Sequence, residues 1–185
     1  LAGGRRGVER ETLRVTPEGR VSQRPHPAAI GSALCSAHVT TDYSEALAEL
    51  VTPVFADVAT LRTYLAELHH FVARHIGDEL LWAASMPCGI AGEDELPIAR
   101  YGRSHQGRFK EVYRRGLQLR YGGLMQAIAG AHYNYSFPDR FWPVWAEVRQ
   151  QRQSDAAFLS KGYFELLRNY RRFGWLTLYL FGHSP

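Results

Sequence analysis

Hydrophobic and polar positions along this chain keep a period of two, switch to a helical beat, and return to alternation, which predicts a mixed α+β order of elements. Residues 7–15 and about 20–23 read as a hairpin, with Pro17-Glu18-Gly19 supplying the turn. Strand signals return over 38–52. From Asp57, a fitting N-cap, Val58, Leu61, Leu65, Leu68, Val72 and Ile76 recur at helical spacing, and Gly77 is a suitable stop. Residues 78–105, with Pro87, Gly89, Gly92 and Pro97, form a long irregular connection of the kind that borders sites. Another helix is expected over about 106–121. Residues 125–137 then alternate as a strand, with Met125, Ala127, Ala129, Ala131, Tyr133, Tyr135 and Phe137 on a core face. Gln126, Ile128, Gly130, His132, Asn134 and Ser136 fall on the other. A last helix, roughly 155–173, has Phe158, Leu159, Tyr163, Leu166, Leu167 and Tyr170 as its expected buried stripe. No repeat or low-complexity tract interrupts this order.

A length of 185 residues with 45% hydrophobic content suffices for one domain, 1–185, without an internal boundary. All the basic residues except Lys110 and Lys161 are arginine, a side chain suited to planar recognition of carboxylates and phosphates, although a GC-rich genome gives the same bias. The net charge of +4 does not by itself imply nucleic acid. Cys35 and Cys88 form neither a CxxC pair nor a disulfide-dense pattern, so free thiols in a reducing cytoplasm are expected. The longest apolar run, near Trp175–Phe181, is far short of a membrane span, and the chain does not open on a charged region followed by an apolar core. A soluble, cytoplasmic protein is the expectation. The start at Leu1, directly before the first strand, and the end at Gly182-His183-Ser184-Pro185 after an apolar run lead us to expect a fragment of something longer.

Chemistry concentrates in Gly7-Val8-Glu9-Arg10-Glu11-Thr12-Leu13-Arg14-Val15, where an extended backbone sets Glu9 and Glu11 on one face. Two carboxylates that close repel, and one takes up a proton unless a cation lies between them. Asp42, Glu49 and His132 are further candidate ligands, which together imply a metal site drawn from three strands. Asp42 and Glu49 are seven apart and face opposite ways in an unbroken strand, so a bulge or irregular turn near Tyr43–Glu45 is expected. The plainer alternatives are an exposed strand edge for Glu9 and Glu11, a wet face for Glu49 and a hydrogen-bonded core histidine for His132. Four carboxylates and one histidine, with no cysteine nearby, suit Mg²⁺, or Mn²⁺, better than zinc. Such sites commonly neutralise nucleotide phosphates, which points to phosphoryl transfer. There is no G-x-x-x-x-G-K-[ST] loop; Gly3-Gly4-Arg5-Arg6-Gly7 lacks the lysine.

The ordered segments GVERETLRV, TTDYSEALAELVTP, SMPC, GRFKEVYRRGL, GAHYNYSF and RNYRRFGWLTLYLFGHSP resemble the amino-terminal part of the proteobacterial-type glutamate–cysteine ligases. The resemblance implies ATP-dependent joining of the L-glutamate γ-carboxylate to the L-cysteine amine through γ-glutamyl phosphate, the first step of glutathione synthesis. It implies a glutamine-synthetase-like fold, a mostly antiparallel sheet with a polar active-site face and helices outside. By motif it makes Glu9, Glu11, Asp42, Glu49 and His132 Mg²⁺ ligands, and it sets Tyr43, Tyr113, Leu117 and Gln126 in the cysteine pocket, with Asn134 supporting the ligands. The family's further metal-binding acid, an arginine that aids phosphoryl transfer and much of its nucleotide site lie downstream, so these residues alone are expected to be inactive.

Two other classes are compatible with the residues. A nucleic-acid module would use Tyr113-Arg114-Arg115 and Asn169-Tyr170-Arg171-Arg172-Phe173, which otherwise form solvated helix faces. A metal-independent hydrolase would use Glu9 and Glu11 as acid and base, although same-face neighbours more readily share a cation than straddle a bond. The ligase reading carries neither a nucleic-acid nor a membrane partner, and the sequence leaves the oligomeric state open.

Overall fold

The computed structural model describes residues 3–151 and 155–182; the Leu1 start and the His183–Pro185 end lie outside them. The chain forms two compact units, Arg5–Ser136 and a second made of Leu1–Gly4 with Phe137–Pro185. The first carries β1 (Arg5–Val15), β2 (Val39–Thr41), β3 (Leu47–Val51), α1 (Val58–His75), β4 (Leu80–Leu81), α2 (His105–Tyr121) and β5 (Ala131–Ser136). The second carries α3 (Phe141–Val148), α4 (Ala156–Phe173) and α5 (Trp175–Phe181).

The five strands form one sheet in which every pairing is antiparallel, so the fold is α+β with β1 at its centre. On one edge β1 meets β3, with Glu11 opposite Glu49 and Leu13 opposite Leu47, and β2 continues outward from β3. The other edge is shared: β5 pairs with Arg5–Arg10, and β4 with Arg14 and Val15. The expected hairpin partner of β1 shortens to a single bridge from Val15 to Val21, closed by Thr16 and Arg20. The expected turn near Tyr43–Glu45 is present and reverses the chain fully, so that β2 and β3 are separate paired strands.

Strand parity divides the sheet. Ala48 and Leu50 point to the side where Val39, Val72 and Ile76 close a core, so the apolar stripe of α1 covers that face. Asp57 caps α1 by accepting from the Thr60 amide, and Gly77 takes a positive φ of 70° just beyond it, both as the sequence indicates. Val58, at the first turn, is exposed and is not part of the buried stripe. On the opposite face Leu13, Val15 and Leu47 pack with Ala46, Cys88, Leu96, Ala127 and Ala129. Moving along β1 from Val15 towards Arg5, that face changes from apolar to acidic at Glu11. The connection at 78–105 therefore covers one end of the sheet and leaves the carboxylate end open.

Arg14, on the α1 side, is almost fully buried and pairs with Glu79 at 2.6 Å, while Ser22 bonds the second Glu79 oxygen and the Arg24 and Glu45 carbonyls accept from the guanidinium. This group ties the loop after β1 to the exit of α1.

Two expectations are corrected. The strand expected over 125–137 begins only at Ala131, because Leu124–Ala127 forms a 3₁₀ turn. Ala127 and Ala129 are buried as the alternation implies, but Tyr133 is 61% exposed and Tyr135, on the same face, is only partly covered, with the Arg6 guanidinium over its ring. In the second unit Asp155 caps α4 as expected, yet Leu166, Leu167 and Tyr170 of the predicted stripe are exposed. The aromatic cluster of Phe137, Phe141, Trp142, Phe158 and Tyr163 engages only the first turns of α4. Helix α3 is eight residues long against eighteen in α4, so at about 1.5 Å per residue it is too short to cover the rest. No helix among the described residues is long and apolar enough to cross a membrane.

Candidate metal and substrate site

The acidic end of the sheet gathers side chains from three strands and a turn. Glu9 and Glu11 share a face of β1, Glu49 stands opposite Glu11 on β3, and His132 stands opposite Glu9 on β5. Asp42 lies at the turn that follows β2, where its amide donates to the Leu47 carbonyl at 3.0 Å. His132 Nδ1 is 3.1 Å from Glu9 Oε2, and its Nε2 is 3.9 Å from Glu11 Oε1. Asn134 Nδ2 donates to Glu9 Oε1 at 3.0 Å, so this residue holds Glu9 from the side. His132 is exposed, which disposes of a core-histidine role.

The repulsion expected among these carboxylates falls on Glu49. Burial first, and then the charges of Asp42, Glu11 and Glu9, push its carboxyl from 4.5 up to about 7, with His132 pulling the other way. Glu49 is half-buried, not the wet face of a strand. His132 is raised above its ordinary value, chiefly by the hydrogen bond to Glu9 and then by the Glu11 charge. A cation bound among these side chains would offset the burial and repulsion that raise Glu49.

Among the described residues no three His, Cys, Asp or Glu side chains close into a ready coordination shell. The donor set nonetheless fits a hard divalent ion in chemistry, being rich in oxygen and short of opposing charge. Glu9, Glu11, Asp42, Glu49 and His132 are the side chains that would hold it.

Gly130 is a residue that the ligand search by type passed over. Its amide donates to Glu11 Oε2 at 2.7 Å, and its carbonyl accepts from the Glu11 amide at 3.0 Å. A β-carbon here would stand 3.0 Å from His132 Nε2 and 3.3 Å from Glu11 Oε2, inside the space between the two side chains. The available signal was positional: a glycine within the alternating pattern of 125–137, where another group approaches the backbone closely. Arg10, on the other face of β1, spans the gap between β5 and β4 by donating to the carbonyls of Gly130 at 3.4 Å and Ala83 at 2.8 Å.

The four expected cysteine-pocket residues are more dispersed. Tyr43 is buried, its hydroxyl finds no hydrogen-bond partner among the described residues, and burial followed by the Glu93 charge raises it above the ordinary phenol value. That hydroxyl lies against Gly123, where a β-carbon would come within 3.1 Å of it, and Gln126 donates its amide to the Gly123 carbonyl at 3.0 Å. Leu117 is half-buried and Tyr113 is 59% exposed, both upstream of this turn on α2. Glu93, which sequence reasoning did not single out, accepts from the Gly123 amide at 2.8 Å and from Gln118 Nε2 at 3.4 Å, fastening the 78–105 connection to the end of α2.

The geometry weakens both other classes. Arg114, in the middle of the first basic-aromatic stretch, is buried and bonded inward, which leaves only Tyr113 and Arg115 of that stretch facing solvent. Glu9 and Glu11 are each committed to neighbours within one cluster and do not stand apart across a cleft.

A family model described as glutamate-cysteine ligase matches residues 1–185. Among curated relatives, the glutamate–cysteine ligase of Edwardsiella ictaluri is 53% identical over 185 residues, covering all of this chain and 36% of that protein. That of Pseudomonas putida is 52% identical over 179 residues, covering 97% and 34% respectively. The chain thus spans about a third of the length of the curated relatives it matches. Among solved structures, a glutamate–cysteine ligase from Francisella tularensis in complex with AMP superimposes with a TM-score of 0.90 at 38% identity, covering 100% of this chain and 36% of that one. A bifunctional glutathione synthetase from Pasteurella multocida gives 0.86 at 28% identity, covering 98% and 24%.

Proposed function

Because the chain belongs to the glutamate–cysteine ligase family, we propose that its residues 1–185 contribute the amino-terminal part of a single catalytic domain that makes γ-glutamylcysteine from L-glutamate, L-cysteine and ATP. The complex of the Francisella relative with AMP supports an adenine nucleotide as co-substrate here. The reaction runs in two steps. A γ-carboxylate oxygen of glutamate attacks the γ-phosphorus of ATP and ADP leaves; the cysteine amine then attacks the acyl carbon, phosphate departs with the C–O electron pair, and the amine proton goes to solvent. In the cytoplasm, where Cys35 and Cys88 stay as thiols, the free amino acid substrates are at hand.

The observation that carries this reading is the convergence of Glu9, Glu11, Glu49 and His132 through the register of β1 with β3 and β5, at the end of the sheet that the apolar core leaves uncovered. Mg²⁺ bound there supplies charge neutralisation while the phosphoryl group passes between two anionic oxygens. This chain's own part is to hold the carboxylates in place. The Gly130 amide aims Glu11, Asn134 and His132 aim Glu9, and the hairpin turn brings Asp42 to the same end as Glu49. Tyr43, Tyr113, Leu117 and Gln126 shape the pocket for the amine substrate, where apolar walls also keep water from the acyl phosphate.

The test uses the complete gene product that contains these residues and glutamate labelled with ¹⁸O in its γ-carboxylate. Transfer of one label into inorganic phosphate per γ-glutamylcysteine formed is expected, and Glu11→Gln should cost far more than the roughly tenfold typical of a supporting residue. Peptide formation without label in phosphate would overturn the acyl-phosphate route.

A further inference from the structure

The basic side chain in the middle of α2 faces inward. Arg114 Nε donates to the Asp42 carbonyl at 2.5 Å, its Nη2 stands 4.0 Å from Asp42 Oδ1, and its Nη1 returns to the Lys110 carbonyl at 3.1 Å. The guanidinium lies 4.8 Å over the ring of Tyr101, and Lys110 Nζ sits at 4.8 Å over the same ring. The Tyr101 hydroxyl lies 2.6 Å from the Thr41 carbonyl and 3.2 Å from that of Asp42, and it accepts from the Thr41 hydroxyl at 3.1 Å. Both side chains are buried. The Asp42 main chain is therefore gripped from α2 and from the segment that leads into it, while its carboxylate stays 45% exposed and its charge acts on Glu49.

Tyr113 and Leu117 flank Arg114 on the same helix, so the register of α2 governs both ends of the site. We propose that Arg114, seated on Tyr101, is a positioning residue that couples the Asp42 carboxylate to the α2 wall of the amine-substrate pocket. The proposal rests on the ligase reading above. A guanidinium suits the task because its Nε and its terminal nitrogens reach a carbonyl and a helix turn at once, whereas a lysine ammonium has one short-range point of contact.

Two other roles make different predictions. If Arg114 acted only as a charge opposing Asp42, removing it would free the carboxylate and tighten cation binding. If it were only a packing element, the folded variant would bind Mg²⁺ normally after a loss of thermal stability. Coupling predicts weaker Mg²⁺ binding and a raised KM for cysteine in the same variant.

The experiment compares Arg114→Ala, Arg114→Lys and Tyr101→Phe in the complete gene product, by calorimetric Mg²⁺ titration, by KM and kcat for L-cysteine, and by thermal melting. Tyr101→Phe keeps the ring beneath the two cations and removes the hydroxyl without changing charge, which covers the case in which Arg114→Ala does not fold. For Arg114→Ala and Tyr101→Phe the expected result is Mg²⁺ affinity lower by about tenfold or more, with KM for cysteine raised in parallel. Arg114→Lys should recover little of either. Tighter or unchanged Mg²⁺ binding in the folded variants overturns the proposal. Absence of γ-glutamylcysteine formation by the parent enzyme would instead count against the ligase reading, a distinguishable result.

Discussion

At the scale of single residues, the site depends on a main-chain amide as much as on its acids. Glu11 is largely buried and its carboxylate takes a short hydrogen bond from the Gly130 amide, a charge-assisted contact of the stronger kind. Nothing larger than hydrogen fits at that α-carbon without displacing His132 or Glu11, since both stand within 3.4 Å of where a β-carbon would be. Gly130→Ala is accordingly expected to leave the fold intact and to weaken Mg²⁺ binding by about tenfold, as loss of a supporting partner usually does. A thermal melt beside a metal titration checks both halves of that statement. The acids and the histidine were legible in the sequence because alternation assigns a strand face and residue type assigns the donor. The Gly130 contact was not, because a backbone donor leaves no side chain to notice.

Among the elements, β1 organises the rest by changing partner along one edge. Where β5 ends and β4 begins, Arg10 and Gly130 fill the break. Its other anchor is the buried pair of Arg14 and Glu79, both side chains 2% exposed, which joins β1 to the exit of α1. Removing one partner of such a pair leaves an uncompensated buried charge, so Glu79→Ala is expected to destabilise the protein by about 3–5 kcal/mol, measurable by urea unfolding. Legibility differs between elements for physical reasons. Helix α1 carried its grammar of cap, stripe and glycine stop, and the structure follows it except at Val58, which is exposed. The segment 125–137 alternates just as regularly, yet it becomes a strand only from Ala131, its start lying in the 3₁₀ turn Leu124–Ala127, since Ala127 and Ala129 gain burial under the connection at 78–105 whichever backbone holds them. The α4 stripe was read correctly as apolar, but burial is a property of a partner surface, and α3 is too short to provide it. The inward turn of Arg114 had no signal either: an arginine in a basic run on a helix looks the same whether it meets water or a carbonyl.

For the whole molecule, protonation and cation binding are linked. Glu49 has its carboxyl raised from 4.5 to about 7, so the fold favours its protonated form. The stability this group lends is present below about pH 4.5 and is lost as pH rises towards 7, the reverse of a carboxylate held by an arginine. His132, raised by Glu9, lends stability below its ordinary 6.5 that is lost as pH climbs through its higher folded value. Both groups must give up a proton to act as ligands. Cation binding near pH 7 is therefore expected to release protons and to tighten as pH rises. We propose that Glu9, Glu11, Asp42, Glu49 and His132 form one Mg²⁺ site of a γ-glutamyl ligase. The most direct test is calorimetric titration of Mg²⁺ into the complete gene product and into its Glu11→Gln variant, at pH 7, in two buffers of different ionisation enthalpy. Binding accompanied by net proton release, and lost or strongly weakened in the variant, is the predicted result. Equal binding by the variant, or binding with no proton released, would contradict it.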